Sequence, residues 1–523
     1  MDSSAARPDQ ADRFFRRSLA LTAGIKLLLA LLIPLTGDEA YFIQWGRELA
    51  GSYYDHGPMT GWWIWLTLLT GDHVFAVRLP AVVASLFTGW LIWRLLRSHD
   101  RASAAWAAAI YLWSPAALLS VFMTTDTPLL VFSVLAVAAG VRADRSNRVP
   151  DYLLTGALLG LAFLSKYFAV LLGVAFAAWW WLLAERRRPL AVLWVFLGVL
   201  PFAAQHVYWN YHHSWTNVMF NVLTRQEGDR SAWYNPLVLV VVALWLIGPP
   251  AVVAFRALKR STSEARVEAW RRLRRSPWGI ALAAFVVPHL VFLLVSLDTP
   301  VGVHWLLSFQ PFFFVAIAVF VPIDSLQAVR RASVIFGGAH VTLVAVALLL
   351  PLSLISSHRS YSSVVLGLHP DEVLEALEAY RPHYRLATPS YAKSALLEFH
   401  ANEPVIVLGP GSFHGRQDDL RTDFRQLDGA DILVLTKPGQ AMETERRWFS
   451  ESEVVDLPVR DTTFTVLLGR NFRYDVYREA VLRPVADHYY RMPAWLARWS
   501  SGCFFRERYS FPTAAADTRA AVR

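Results

Sequence analysis

The sequence predicts a polytopic α-helical membrane protein with about eleven transmembrane helices, followed by a small α/β domain outside the membrane. Three observations predict it. Of 523 residues, 55% are hydrophobic and only 17% are charged, where soluble domains carry roughly 25%. Apolar runs of spanning length recur as far as residue 355. Arginine and lysine gather in short clusters between alternate runs. Mean hydropathy is +0.34, and the chain holds 22 Trp. A disordered chain or a purely soluble enzyme does not fit this composition. The net charge of +9 and pI near 9.6 invite a nucleic-acid reading. The basic residues lie in loops between apolar runs, so no nucleic-acid partner is expected.

A span needs roughly 20 apolar residues. Candidates fall at 18–36, 74–96, 102–122, 128–141, 152–164, 168–184, 190–207, 236–255, 279–297, 304–322 and 333–355. The stretch 151–184 is long for one span and short for two. A lysine in mid-membrane is costly, so the split is placed at Ser165-Lys166-Tyr167. The first run follows Arg13, Arg16 and Arg17, as a signal peptide would, but Gly37-Asp38-Glu39 makes a poor cleavage site. It is read as an uncleaved span.

Orientation follows from the basic residues. One set of loops carries Arg94, Arg97 and Arg101, then Arg142, Arg145 and Arg148, then Arg186, Arg187 and Arg188, and a dense run between Arg256 and Arg275. The other set carries Arg47, Lys166, Arg225 and Arg230. The first set is expected in the cytoplasm. The N-terminus then lies inside, and residues 357–523 form a periplasmic α/β domain beside a transmembrane domain of residues 1–356. In that tail, Pro370 with Asp371 and Glu372 suits a helix start. Helix-like stretches run over 387–400 and 474–490, and apolar strands over 405–408, 432–435 and 463–468. The lone Cys503 excludes an intrachain disulfide.

The outward loops hold the residues that could carry chemistry. After span 1 come Asp38 and Glu39. Tyr41, Trp45 and Leu49 share a helical face, which suggests an interfacial amphipathic helix. Gly37 can end the span and Asp38 can cap the next helix, or Asp38 can be a functional carboxylate. In the second loop, Pro128 suits a first helical position. Thr127 is then the cap, and Asp126 has no structural task. Lys166 is either a snorkelling lysine or a cation for a lipid phosphate. The fourth loop holds Trp209, Asn210, His212, His213 and Arg225, and the fifth holds His304 and Trp305. Adjacent histidines diverge on a regular element, so His212 and His213 make a poor metal site. Gly409-Pro410-Gly411 lacks an amide at Pro410 and misses the nucleotide-loop spacings.

Taken in order, these motifs resemble a family. The Asp-Glu pair precedes Tyr53-Tyr54-Asp55-His56-Gly57-Pro58; Asp126 precedes Thr-Pro; then come Gly160 to Tyr167 and Trp209-Asn210. The set is similar to the C-type (GT-C) integral-membrane glycosyltransferases, among bacterial relatives of the protein O-mannosyltransferases and the lipid A aminoarabinose transferase. The similarity covers residues 15–325. It implies a GT-C-like fold and transfer of a sugar from a polyprenyl-phosphate donor. The acceptor would be a cell-envelope molecule: lipid A or lipopolysaccharide, another glycan or a protein hydroxyl. Transfer would occur on the outer face of the inner membrane, by an inverting single displacement. It implies Asp38 and Asp126 as catalytic residues. Glu39, Tyr54, Asp55, His56, Lys166, Tyr167, Arg225, His304 and Trp305 are implied as substrate-binding residues. A divalent cation stays open as a cofactor. Where the aminoarabinose transferase has Lys before Pro-Pro, this chain has Asp55-His56-Gly57-Pro58, which resembles a lipopolysaccharide galacturonosyltransferase-like branch.

Two other classes compete. A transporter or flippase places polar groups near the midplane and often shows inverted repeats. Here the polar groups collect at one face, and no repeat of fixed period is present. A non-catalytic envelope assembly protein would leave Asp38 as a cap alone.

Overall fold

The computed structural model describes residues 6–224, 232–412 and 414–512. The chain forms two compact units. The first comprises Met1–Ile33, Gly57–Gln205 and Gly228–Leu349; the second comprises Pro34–His56, His206–Glu227 and Leu350–Arg523. The second unit therefore takes in two segments of the N-terminal part as well as the tail.

The first unit is helical. Four helices are each long and apolar enough to cross a membrane: Val74–Leu96, Asp126–Ser146, Pro189–His212 and Ile323–Leu349. Four further pairs qualify only if each pair is one bent span. The other three expected spans fall on shorter helices, Arg101–Leu112, Val149–Ser165 and the run Ala169–Leu183. Length and apolarity alone thus support up to eight spans. The run at 236–255 is not one straight helix. It is Asn235–Ile247 and Pro250–Ala257, bent by 106°. Gly248, at φ +76°, turns the chain there, ahead of two prolines. The helix Met59–Leu68, with Trp62, Trp63 and Trp65, was not expected.

Local chemistry explains these elements. Asp100 accepts a hydrogen bond from the Ser103 amide and starts the alanine-rich helix Arg101–Leu112. That helix is buried from Ala102 to Leu112, as an all-round apolar helix must be. Gly156 and Gly198 let the helices Val149–Ser165 and Pro189–His212 meet backbone to backbone. A Cβ at 156 would lie 2.1 Å from the Val195 oxygen, and one at 198 would lie 2.4 Å from the Leu153 oxygen. Lipid offers no hydrophobic drive between helices, so such close packing holds them.

The second unit is built on a five-stranded sheet: β1 (Arg385–Thr388), β2 (Ile406–Val407), β3 (Ile432–Thr436), β4 (Phe449–Val459) and β5 (Thr462–Phe472). Its order is β2-β1-β3-β5-β4. β1 pairs in parallel with β2 and β3, while β5 pairs antiparallel with β3 and β4. The helix Tyr391–Ala401 connects β1 to β2. The expected helix at 387–400 therefore starts four residues late, because Ala387 and Thr388 belong to β1. The expected strands at 405–408, 432–435 and 463–468 are present as β2, β3 and part of β5. β4 was missed because Glu451, Glu453 and Asp456 interrupt it. It lies at the sheet edge, where charge guards against further pairing.

The segment Gly37–Arg47 is a helix, but not an interfacial one. Glu39 to Gly46 are all buried, and Leu49 falls beyond its end. It packs on the helix Tyr391–Ala401: a Cβ at Gly37 would lie 2.9 Å from the Ala392 Cβ, and the Tyr41 ring lies 4.9 Å from that of Tyr391.

Candidate functional site

In the first unit the polar centre is Asp126 with Lys166. Asp126 is the first residue of the helix Asp126–Ser146, where the helix dipole favours a carboxylate. The N-cap is Thr125, without a side-chain bond. Thr127 therefore stands inside the first turn and is not the cap expected from Pro128. Its hydroxyl points to the Phe122 oxygen at 3.5 Å. Lys166 sits at the break after the helix Val149–Ser165, with extended backbone at φ −160°. Its Nζ donates to both Asp126 oxygens, at 2.9 and 2.8 Å. Both side chains are buried, at 3% and 8% exposure. Lys166 is therefore not a snorkelling lysine. A buried ammonium needs a counter-charge, and Asp126 supplies it.

Aromatic rings and tight backbone packing frame this pair. The Phe168 ring centroid lies 5.1 Å from Lys166 Nζ. Trp305 packs on Phe168 at 4.7 Å. Ser308 Oγ donates to the Asp126 carbonyl at 3.4 Å. Tyr167 packs on Phe163 at 5.2 Å. His304 is exposed, in the short 3₁₀ helix Val303–Phe309. Gly57 explains itself: a Cβ there would lie 2.1 Å from the Leu164 oxygen, two residues before Lys166.

In the second unit, Thr36, not Asp38, caps the helix Gly37–Arg47. The Glu39 amide donates to Thr36 Oγ1 at 3.2 Å, and Glu39 Oε2 accepts from the Thr36 amide at 3.3 Å. This is a capping box. Glu39 thereby has a structural role. Asp38 stands exposed in the first turn, and the Tyr391 hydroxyl donates to its Oδ1 at 3.0 Å. Tyr41 donates to Asp55 Oδ1 at 3.2 Å and accepts from the Gln417 amide at 3.3 Å. His56 Nδ1 lies 3.1 Å from Asp55 Oδ2, at an angle unsuited to a hydrogen bond. The Tyr54 amide donates to Gln417 Oε1 at 2.9 Å, and its ring packs on Phe220 and Tyr490. Asn221 donates to the Asp55 carbonyl. The loop 53–56 is thus tied down from several sides.

Burial, and then the charges of Asp38 and Asp55, hold the Tyr391 hydroxyl well above the usual phenol range. Burial, then Asp55 and Asp418, does the same for Tyr41. Both phenols remain donors at neutral pH. Asp418, next to Gln417, is pushed up first by burial and then by the charge of Asp419. Asp419 itself is bound by Arg416 at 2.7 and 3.1 Å and by the Tyr490 hydroxyl at 2.7 Å.

Arg225 lies outside the described residues. Trp209, Asn210 and His212 are not loop residues; the helix Pro189–His212 runs through them. His213 stacks on Trp209 at 4.0 Å and bonds to its carbonyl. Among the described residues no group of three or more His, Cys, Asp or Glu could hold a metal ion. The residues missed from the sequence are Tyr391 and Gln417, which lie more than 350 positions from their partners Asp38 and Tyr54.

Residues 55–209 match the family model described as dolichyl-phosphate-mannose-protein mannosyltransferase. The matched segment contains Asp126, Lys166 and the Asp55-His56-Gly57-Pro58 loop. The resemblance read from the motifs is borne out. The chain is 32% identical over 206 residues to the lipid A galacturonosyltransferase RgtD of Rhizobium johnstonii, over 38% of this chain and 41% of that protein. It is 27% identical over 268 residues to the undecaprenyl phosphate-α-4-amino-4-deoxy-L-arabinose arabinosyl transferase of Edwardsiella ictaluri, over 43% and 48%. The chain thus matches less than half the length of these two relatives. Among solved structures, ArnT from Cupriavidus metallidurans in the apo state superposes with a TM-score of 0.56 at 14% identity, over 86% of this chain and 97% of that one. The same protein bound to undecaprenyl phosphate gives 0.57. The fold is shared with ArnT and extends beyond the segment that matches the family model.

Proposed function

We propose that this protein transfers a sugar from a polyprenyl-phosphate donor to a hydroxyl of a lipid A-type acceptor. The observation that carries the reading is the buried Asp126–Lys166 pair, held in the segment that matches the mannosyltransferase family. The names of the two relatives support the donor and acceptor classes.

Each cluster has its own role in the proposal. Asp38 is the base. Tyr391 occupies its Oδ1, which orients the carboxylate and leaves Oδ2 to accept a proton. Asp126 is the poorer base, since both its oxygens are taken by Lys166. Its task is to hold a buried cation in place. Lys166 stabilises the charge that develops on the departing phosphate. In the displacement, the acceptor oxygen bonds the anomeric carbon while the carbon–oxygen bond to phosphate breaks. The acceptor proton goes to Asp38, and polyprenyl phosphate leaves with the bonding pair. General-base help of this kind is worth about 10²–10⁴-fold. His56, Asp55, Tyr54, Tyr167, His304 and Trp305 contact substrate in this reading, while Glu39 acts through the capping box.

The basic loops face the cytoplasm and the second unit faces the outside in the same proposal. The test is transfer by the purified, reconstituted protein from a panel of undecaprenyl-phosphate sugars to a lipid A acceptor. The panel includes a galacturonosyl and a 4-amino-4-deoxyarabinosyl donor. Glycosylated lipid A from one donor supports the proposal. No product from any donor, with a folded protein, refutes it.

A further inference from the structure

We propose that the arginine-rich end of the first unit binds the phosphate headgroup of an anionic phospholipid. A cavity of about 400 Å³ opens there. Leu95, Ala138, Val141 and Trp278 give it an apolar lining, and Arg142, Arg145 and Ser146 give it a polar one. The two arginines differ. Arg142 Nε bonds Asp151 at 3.0 Å, so its charge is compensated. Arg145 stacks over the Trp278 ring, 5.0 Å from its centroid. Among the described residues no carboxylate pairs with Arg145. A cation–π contact consumes no N–H donor, so a guanidinium over a ring keeps its N–H groups for a phosphate fork.

A second observation agrees with a membrane-surface position for this cavity. The helix Ser263–Arg275 meets the apolar helix Gly279–Val295 at 107°, through the linker that carries Trp278. If Gly279–Val295 crosses the bilayer, the helix Ser263–Arg275 lies along its surface. Its composition suits that place. Arg266, Arg271, Arg272, Arg274 and Arg275 outnumber Glu264 and Glu268. Val267 and Trp270, three residues apart, are 50% and 45% exposed. Basic helices with an exposed tryptophan dock on anionic leaflets. A free phosphate would satisfy Arg145 but not the apolar lining. A phospholipid satisfies both, with its phosphate on Arg145 and its glycerol and upper acyl chain along Leu95 and Val141. The inference rests on the membrane reading and not on the transfer reaction.

Native mass spectrometry of the detergent-purified full chain tests it, with dioleoyl phosphatidylglycerol and dioleoyl phosphatidylcholine as probes. Arg145 is exposed, so its replacement disturbs only the contact with the Trp278 ring. Arg145→Gln is expected to weaken phosphatidylglycerol binding about 5-fold, the worth of one arginine at an anionic surface. Phosphatidylcholine carries its phosphate behind a choline cation, so it is expected to bind more weakly to the wild type and to lose less than phosphatidylglycerol in Arg145→Gln, while Arg145→Lys retains most of the phosphatidylglycerol. Equal phosphatidylglycerol loading of wild type and Arg145→Gln overturns the site, and equal loss of both lipids overturns the preference for an anionic headgroup. Displacement of bound phosphatidylglycerol by millimolar inorganic phosphate overturns the lipid assignment in favour of a free-anion site. None of these readouts depends on sugar transfer.

Discussion

Lys166 Nζ donates to both carboxylate oxygens of Asp126, at 2.9 and 2.8 Å, across forty residues of sequence. The pair is buried on both sides. Removing one partner of such a pair strands the other charge, at a cost of about 3–5 kcal/mol.

Lys166→Ala is therefore expected to lower the apparent melting temperature in detergent as well as transfer. The double variant Asp126→Asn with Lys166→Gln carries no stranded charge. Its melting temperature should return most of the way to wild type while transfer stays at least about 10-fold down, the loss of a charge-assisted contact to phosphate. Recovery of both melting temperature and transfer would reduce the pair to a structural one.

Thr36 and Asp38 separate capping from catalysis. Thr36→Ala removes the cap and should cost about 0.5–2 kcal/mol of stability with transfer retained. Asp38→Asn leaves the capping box untouched. It should melt as wild type does and lose about 10²-fold or more in transfer. Near-normal transfer by Asp38→Asn would remove Asp38 as the base.

Asp418 gives stability a pH slope. Burial first, then Asp419, raises its carboxyl to about 7. The folded chain keeps a proton that the unfolded chain has already lost, from the ordinary carboxylate range near 4 up to about 7. This contribution to stability is fully present below that window and is lost as pH rises through it. Asp418→Asn should flatten the slope, read as melting temperature from pH 4 to 8. An unchanged slope would place the titration elsewhere.

Cys503 is 2% exposed, and burial pushes its thiol up, so it is a poor native probe of sidedness. Glu443→Cys puts an exposed thiol on the second unit. Labelling by an impermeant maleimide in intact spheroplasts is expected. Labelling only after lysis would invert the topology.

How much of this was legible in the sequence depended on how local the cause is. The break at Lys166 was readable, because a lysine inside an apolar run is costly wherever it lies. The capping box was also there to be read, as Thr36-Gly37-Asp38-Glu39 ahead of an apolar run. The doublet Gly37-Asp38 drew the cap two residues too far along. The pairing of Asp126 with Lys166 depends on how three helices meet, which no local pattern records. The burial of Tyr41 and Trp45 was misread for the same reason. Their apolar face was plain, but Tyr41 packs on Tyr391 and Trp45 stacks on Tyr53, not on lipid. Gly57 could be read as a turn glycine; that it admits the Leu164 carbonyl is visible only in three dimensions.

The proposed reaction is a single displacement, and the most direct measurement of it counts both products at once. Polyprenyl phosphate released and sugar gained by lipid A are followed together in proteoliposomes, for the wild type and for Asp38→Asn. The account predicts one polyprenyl phosphate per sugar transferred, an inverted anomeric centre, and both products falling together by about 10²-fold or more in the variant. Donor that crosses the bilayer with its phosphate–sugar bond intact, or product of retained configuration, would contradict it.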